Sequence, residues 1–203
     1  MLDPASYTVV VLAGGTSRRM GGGDKTALEL SAGRTVLGHL VSSLDKSVGV
    51  VVVGEARPLE RSVTWAREEP PGGGPLAALA AALETVSAGH GSEWLVLLAG
   101  DQPFAGDAVP DLLAGLGPEV DAVVGVDDEG RDQPLLSAYR CAAVRRVLTG
   151  WPEGVSGRAV RSLLAELRVR RVAVPPESAR DIDDAAGLET ARRILAVRDA
   201  AGR

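Results

Sequence analysis

The stretch Thr8-Val-Val-Val-Leu-Ala-Gly-Gly-Thr-Ser-Arg-Arg-Met-Gly-Gly-Gly-Asp-Lys25 decides how this chain folds. Residues 8–13 form an unbroken apolar run, as expected of a strand buried on both faces. The residues after it are glycine-rich and cationic. Glycines let backbone N–H groups close on oxygens with no Cβ in the way. Arg18, Arg19 and Lys25 add positive charge to the same loop. A buried strand that delivers such a loop is expected to bind phosphate, and a triphosphate suits the length of the loop.

Two common phosphate motifs do not fit. A P-loop needs Gly-Lys-Ser/Thr in succession, whereas Gly23-Asp24-Lys25-Thr26 has an aspartate interposed. The dinucleotide fingerprint G-x-G-x-x-G is not supplied by Gly14-Gly15-Thr16-Ser17-Arg18.

Composition narrows the possibilities. The 203 residues suffice for one domain, 1–203, with a substantial core, and the scarce aromatics leave that core to Val, Leu and Ala. A formal net charge of −5 argues against a dedicated nucleic-acid binder. The single cysteine, Cys141, excludes an internal disulfide and a multi-cysteine zinc site. It reads as a small buried residue at a helix start. The beginning of the chain has no secretory signal pattern and no run reaches membrane-spanning length, so the expectation is a cytoplasmic protein. His39 and His90 are far apart, in a helix and a loop, and neither is expected to act catalytically.

Strands are expected at 8–13, 48–53, 93–99, 121–126, 135–139 and 168–174. Helices are expected at 35–44, 76–86 (with Pro75 at the first helical position), 107–115, from Cys141 to 148, at 160–167 and at 184–197. Their alternation implies an α/β fold, a three-layer Rossmann-like arrangement around a mostly parallel sheet.

In such sheets ligands bind beyond the carboxyl ends of the strands. The glycine-rich loop leaves the first strand. Glu68, Glu69 and the loop 72–75 follow the second. Asp101, in Gly100-Asp-Gln-Pro103, ends the third and is the expected magnesium ligand, since Mg²⁺ is usually held by one or two carboxylates plus substrate phosphates. Lys25 is expected to reach those phosphates and neutralise charge in the transition state.

The run Leu12-Ala-Gly-Gly…Arg19-Met-Gly-Gly-x-Asp-Lys25 closely resembles the signature of the molybdenum cofactor guanylyltransferases, the MobA-like nucleotidyltransferases. Gly74-Pro-Leu-Ala77, Gly100-Asp-Gln-Pro103, the polar turn Gly130-Arg-Asp-Gln-Pro134 and Asp181-Ile-Asp183 resemble that family's later motifs in order. The resemblance implies transfer of GMP from GTP to the molybdopterin cofactor with Mg²⁺ and release of pyrophosphate. It implies no nucleic-acid or membrane partner, and delivery of the product to molybdoenzymes or other cofactor-biosynthesis proteins. Carried over, Leu12, Ala13, Gly14 and Gly15 would hold the nucleotide, with Glu69 (or Glu68) beside it. Arg19, Lys25 and Asp101 would be catalytic, Asp101 also holding the metal. Arg131, Gln133 and Asp183 would face the acceptor. Three departures stand out. Val53-Gly54 occupies the place of a family asparagine, Gln133 that of a histidine, and Asp181 and Asp183 those of asparagines. Asp183 reads either as a second carboxylate for magnesium or as the N-cap of the last helix. Gly14 and Gly15 are read as making room for guanine, since related cytidylyltransferases resemble L-A-A-G there. The alternatives are another phosphorylated acceptor, CTP as donor, or a GTP-binding module without turnover.

Overall fold

The computed structural model describes residues 6–14, 24–89 and 91–201. Strand β1 (Tyr7–Leu12) is buried along its whole length. It lies between β4 (Gly49–Val53) and β6 (Trp94–Ala99), in parallel register with both. With β5 (Thr64–Ala66), β7 (Ala122–Val126), β8 (Asp132–Arg140) and β9 (Val169–Ala173) they form one seven-stranded sheet, ordered β5-β4-β1-β6-β8-β7-β9. Every pairing in this sheet is parallel except the two made by β8. The carboxyl ends of the other six strands therefore share one edge, and β8 enters from that edge.

The alternation of β1 shows why its sequence is apolar without interruption. Val9, Val11 and Ala13 pack into one core with Leu37 and Leu40 of α1 (Val36–Ser43) and Leu112 of α3 (Val109–Ala114). Val10 and Leu12 pack into a second core with Leu76 and Leu79 of α2 (Pro75–Gly89) and Val144 of α4 (Cys141–Thr149). Both faces of the sheet are covered, giving three layers. Each fully buried valine contributes about 1.5–3 kcal/mol relative to exposure, and the one polar side chain buried near the start of β1, Thr8, has its hydroxyl 2.8 Å from the Ser92 hydroxyl.

A third, smaller core joins Leu30, Val36, Phe104, Ile182 and Ala191. It seats α6 (Ala185–Ala201) across the end of the molecule, where Arg192 Nη2 donates to the Glu29 carbonyl at 2.7 Å.

Several elements differ from expectation. The hairpin β2 (Glu29–Ser31) with β3 (Arg34–Thr35) and the short edge strand β5 carry no clear sequence pattern. The helix expected at 107–115 starts as a 3-10 turn, Ala105–Ala108, and becomes α-helical at Val109, with Pro110 in its first turn. Pro110 lacks an N–H, which costs nothing in a first turn. The helix expected at 160–167 is only α5 (Arg161–Leu164), because Leu163 N–H and Glu166 N–H bond three residues back, to Val160 and Leu163. Strand β8 starts at Asp132, three residues earlier than expected, and its ladder with β7 shifts register between Val124 and Gly125. Cys141 begins α4, buried, and burial pushes its thiol up to about 11.

Candidate active site at the carboxyl edge

The sheet register brings three chain segments side by side. Leu12 pairs with Val53 on one side and with Ala99 on the other. The strands stay hydrogen-bonded past their ends: Ala13 N–H donates to Val53 O and Gly100 N–H to Leu12 O, both at 2.8 Å. Two glycines are needed for this approach. A Cβ at Gly100 would lie 2.9 Å from Leu12 O. Gly54, at φ +154°, would put a Cβ 3.0 Å from the Ala13 carbonyl. The Gly54 backbone thus packs directly on Ala13. Gly14 differs: among the described residues a Cβ there would meet only Gly54 Cα and Val53 O, at 3.9 Å.

Lys25 is part of a short 3-10 turn, Lys25–Ala27. Asp24 caps that turn, its carboxylate accepting from Thr26 N–H at 2.9 Å and Thr26 Oγ1–H at 2.6 Å. The aspartate that breaks the P-loop pattern is therefore the residue that starts the turn. The Lys25 side chain is only 15% exposed. Its ammonium is bonded to Asp183 and lies 4.0 Å from Asp101 Oδ2. Residues 158 positions apart in sequence meet at one point. Ile182 N–H donates to the Asp101 carbonyl at 3.0 Å, which ties the segment 181–183 to the end of β6.

Asp183 is not the helix cap. Asp184 is, its carboxylate accepting from Gly187 N–H at 2.8 Å one turn into α6. The cap needs its acceptor immediately before the first helical residue, Ala185. This leaves Asp183 directed at Lys25.

Among the described residues, Asp101 and Asp183 flank the Lys25 ammonium, and Asp181 lies near enough to Asp101 to act on it electrostatically. Burial pushes the Asp101 carboxyl above the ordinary range, Asp181 raises it further, and Lys25 only partly offsets them. A site with surplus carboxylate and one strongly desolvated oxygen donor suits a hard divalent cation. Among the described residues no three ligating side chains converge into a complete cage. The donor set therefore fits a cation that takes one or two protein oxygens and the rest from a bound phosphate.

The other expected residues lie along the same edge. Glu69 is exposed in the loop after β5, while Glu68 accepts Gly72 N–H at 3.1 Å within that loop. On the far side of β6, Asp127 forms a knot. It accepts from the backbone N–H groups of Glu129 and Arg131, from Arg131 Nε at 2.9 Å and from Gln133 Nε2 at 2.8 Å. Arg131 also pairs with Glu129 at 2.8 Å, so its position is set by the turn. Arg18, Arg19, Gly15 and His90 fall outside the described residues. His39 packs edge-on against Phe104, with ring centres 5.7 Å apart, and burial lowers its pKa.

Two features carry no sequence signal. The loop 150–158 docks on the approach to α2, Gly157 N–H donating to Gly73 O at 2.8 Å, with the Arg158 guanidinium 4.7 Å above the Trp151 ring. Arg57 pairs with Asp24 at 2.7 Å. A cavity of about 890 Å³ lies at the opposite, amino-terminal edge, lined by Tyr7, Val9, Leu44, Trp94 and Val109, away from Lys25 and Asp101. No described helix is long and apolar enough to cross a membrane.

Comparison with known proteins agrees with this geometry. The family model described as the MobA-like NTP transferase domain matches residues 9–172. A molybdenum cofactor guanylyltransferase of Acidiphilium cryptum is 37% identical over 193 residues, covering 87% of this chain and 89% of that protein. A probable molybdenum cofactor guanylyltransferase of Mycobacterium bovis is 35% identical over 191 residues, covering 92% and 93%. Among solved structures, molybdopterin-guanine dinucleotide biosynthesis protein A of Archaeoglobus fulgidus superposes with a TM-score of 0.69 at 23% identity, covering 93% of this chain and 98% of that one. The 2-C-methyl-D-erythritol 4-phosphate cytidylyltransferase of Thermus thermophilus gives 0.67 at 18% identity, covering 92% and 97%. Both share the fold.

Proposed function

The chain belongs to the MobA-like NTP transferase domain family, a nucleotidyltransferase family, and on that premise we propose that it transfers GMP from GTP to the terminal phosphate of the molybdopterin cofactor. In the reaction an oxygen of the acceptor phosphomonoester attacks the α-phosphorus of GTP. A new P–O bond forms, the bond to the β-phosphate breaks, and pyrophosphate leaves.

The convergence of Lys25, Asp101 and Asp183 carries this reading. A phosphomonoester is largely ionised near neutral pH, with its second pKa about 6, so no general base is required. What the reaction needs is alignment and neutralisation. The backbone of Leu12, Ala13, Gly14 and Gly15 receives the nucleotide at the end of β1, with Glu69 beside it. Lys25 exchanges its Asp183 partner for the leaving phosphates. Asp101, with Asp183 beside it, would hold Mg²⁺. When bound, that ion supplies charge neutralisation on the phosphates. Arg19 joins the phosphates by its place in the loop, while Arg131 and Gln133 meet the acceptor on the far side of β6. In this reading the enzyme works in the cytoplasm, and its product passes to molybdoenzymes or their maturation partners.

The test is product identification: GTP, Mg²⁺ and molybdopterin cofactor are incubated with the protein and the products resolved by mass. A guanine dinucleotide and pyrophosphate in equal amounts support the proposal. GTP bound but unconsumed refutes it and leaves a binding module or a different phosphorylated acceptor. A second reading, a cytidylyl donor or another phosphorylated acceptor, draws on the fold shared with the cytidylyltransferase. It requires turnover with CTP, or with GTP and a different phosphomonoester.

A further inference from the structure

We propose that the Arg57–Asp24 ion pair is a positioning element that sets Lys25 in the site. This rests on the functional reading above only for its kinetic consequences. The two oxygens of Asp24 have separate tasks. Oδ1 accepts from Thr26 N–H and Thr26 Oγ1–H, which starts the 3-10 turn, and Oδ2 pairs with Arg57 Nη1 at 2.7 Å. Arg57 is 19% exposed, so the pair is partly withdrawn from water. Lys25 lies between this clasp and the acidic cluster, and buried Thr26 packs toward Gly100, where a Cβ would come within 3.3 Å of Thr26 Cγ2. Lys25 thus has little freedom to find its place independently of the turn.

The loop that supplies Arg57 also supplies Gly54, whose backbone lies against Ala13 and whose N–H donates to Ala66 O at 3.0 Å. One loop therefore holds the chain both where it leaves β1 and where it reaches Lys25. A single ion pair with one half-exposed partner adds little to stability, so stability does not explain this arrangement. Placement does, because a misplacement of about 1 Å in a reacting group can cost on the order of a hundredfold in rate.

The chain contains two lysines, Lys25 and exposed Lys46, which makes the test specific. Protein labelled with ¹³C at lysine Cε is compared as wild type, Arg57→Ala, Arg57→Lys, Asp24→Asn and the double variant Asp24→Asn with Arg57→Ala. In Asp24→Asn the amide oxygen can still accept from Thr26 N–H, but the side chain carries no charge to pair with Arg57. The expected result is that the Lys25 signal moves toward that of Lys46 in Arg57→Ala and Asp24→Asn, while Lys46 stays in place; in Arg57→Lys, whose new lysine adds a third signal, the Lys25 signal returns to most of its wild-type position. With GTP and acceptor, Arg57→Ala is expected to lose about tenfold in kcat with a smaller change in KM for GTP. The double variant is expected to be no slower than Asp24→Asn. A Lys25 signal that stays fixed in Arg57→Ala and Asp24→Asn overturns the proposal, as does a double variant whose losses multiply. If the wild type turns over no nucleotide, the functional reading fails and the Lys25 signal alone decides the proposal.

Discussion

Two aspartates, Asp121 buried and Asp101 half-buried, stand at opposite edges of the sheet and have opposite surroundings. Asp121 lies at the amino-terminal edge just before β7. Its oxygens receive Arg168 Nε and Nη2 at 2.9 Å, and Arg146 stands 3.7 Å away. The Arg168 hydrogen bonds, outweighing burial, hold its pKa down to about 2. Asp101 lies at the carboxyl edge, among other carboxylates and one lysine, and its pKa is pushed upward. The same side chain is overcompensated at one edge and undercompensated at the other. The first arrangement ties β7 to β9 and stabilises the fold. The second, among the described residues, gathers carboxylates around a single lysine, the arrangement that the proposed cation and phosphate site draws on.

The largest effect expected from this contrast is on turnover at Asp101. Asp101→Asn should reduce GTP-dependent pyrophosphate release by about a thousandfold or more. It should not lower the melting temperature at pH 7, since it removes a charge that burial and Asp181 disfavour. A large loss of thermal stability would make Asp101 structural. Lys25→Ala should follow, with a loss of about 10²–10³ in kcat. An unchanged rate would remove Lys25 from the site.

Asp121→Asn should do the reverse, leaving kcat unchanged and lowering stability by roughly 1–2 kcal/mol at neutral pH, the exposed Arg168 guanidinium limiting the effect. The sign follows from the depressed pKa. The wild-type advantage is full above the ordinary aspartate pKa and disappears as pH falls through the native value of about 2. Denaturant titrations of both proteins between pH 7 and 2 check this, and a gap that persists at pH 2 would assign the effect to packing. The smallest effect belongs to Gly14→Ala. Among the described residues the new Cβ meets nothing closer than 3.9 Å, so folding should be unaffected. The ratio of GTP to CTP turnover should fall by roughly tenfold if that space is reserved for guanine.

Much of this is legible in the sequence because it is local. An apolar run, a glycine-rich cationic loop and an aspartate at a strand end each occupy a few consecutive residues. The pairing of Lys25 with Asp183 is not local. It depends on Ile182 burying itself beside Leu30 and Phe104, and nothing near either partner announces it. The helix cap lies one residue beyond its expected place because Asp181, Asp183 and Asp184 are equivalent in sequence. Only the backbone of α6 distinguishes them. The β2–β3 hairpin escapes a sequence reading for a similar reason, since β2 is held by contacts to α1 and α6 rather than by its own pattern. Arg57 stands in an ordinary polar loop, and only its partner gives it meaning.

The most direct measurement is Mg²⁺-dependent pyrophosphate release with molybdopterin cofactor as acceptor, run side by side for wild type and Asp101→Asn with GTP and with CTP. Release by the wild type with GTP, little with CTP and none by the variant is the expected result. Equal release by both proteins, or release with CTP in preference to GTP, would contradict it.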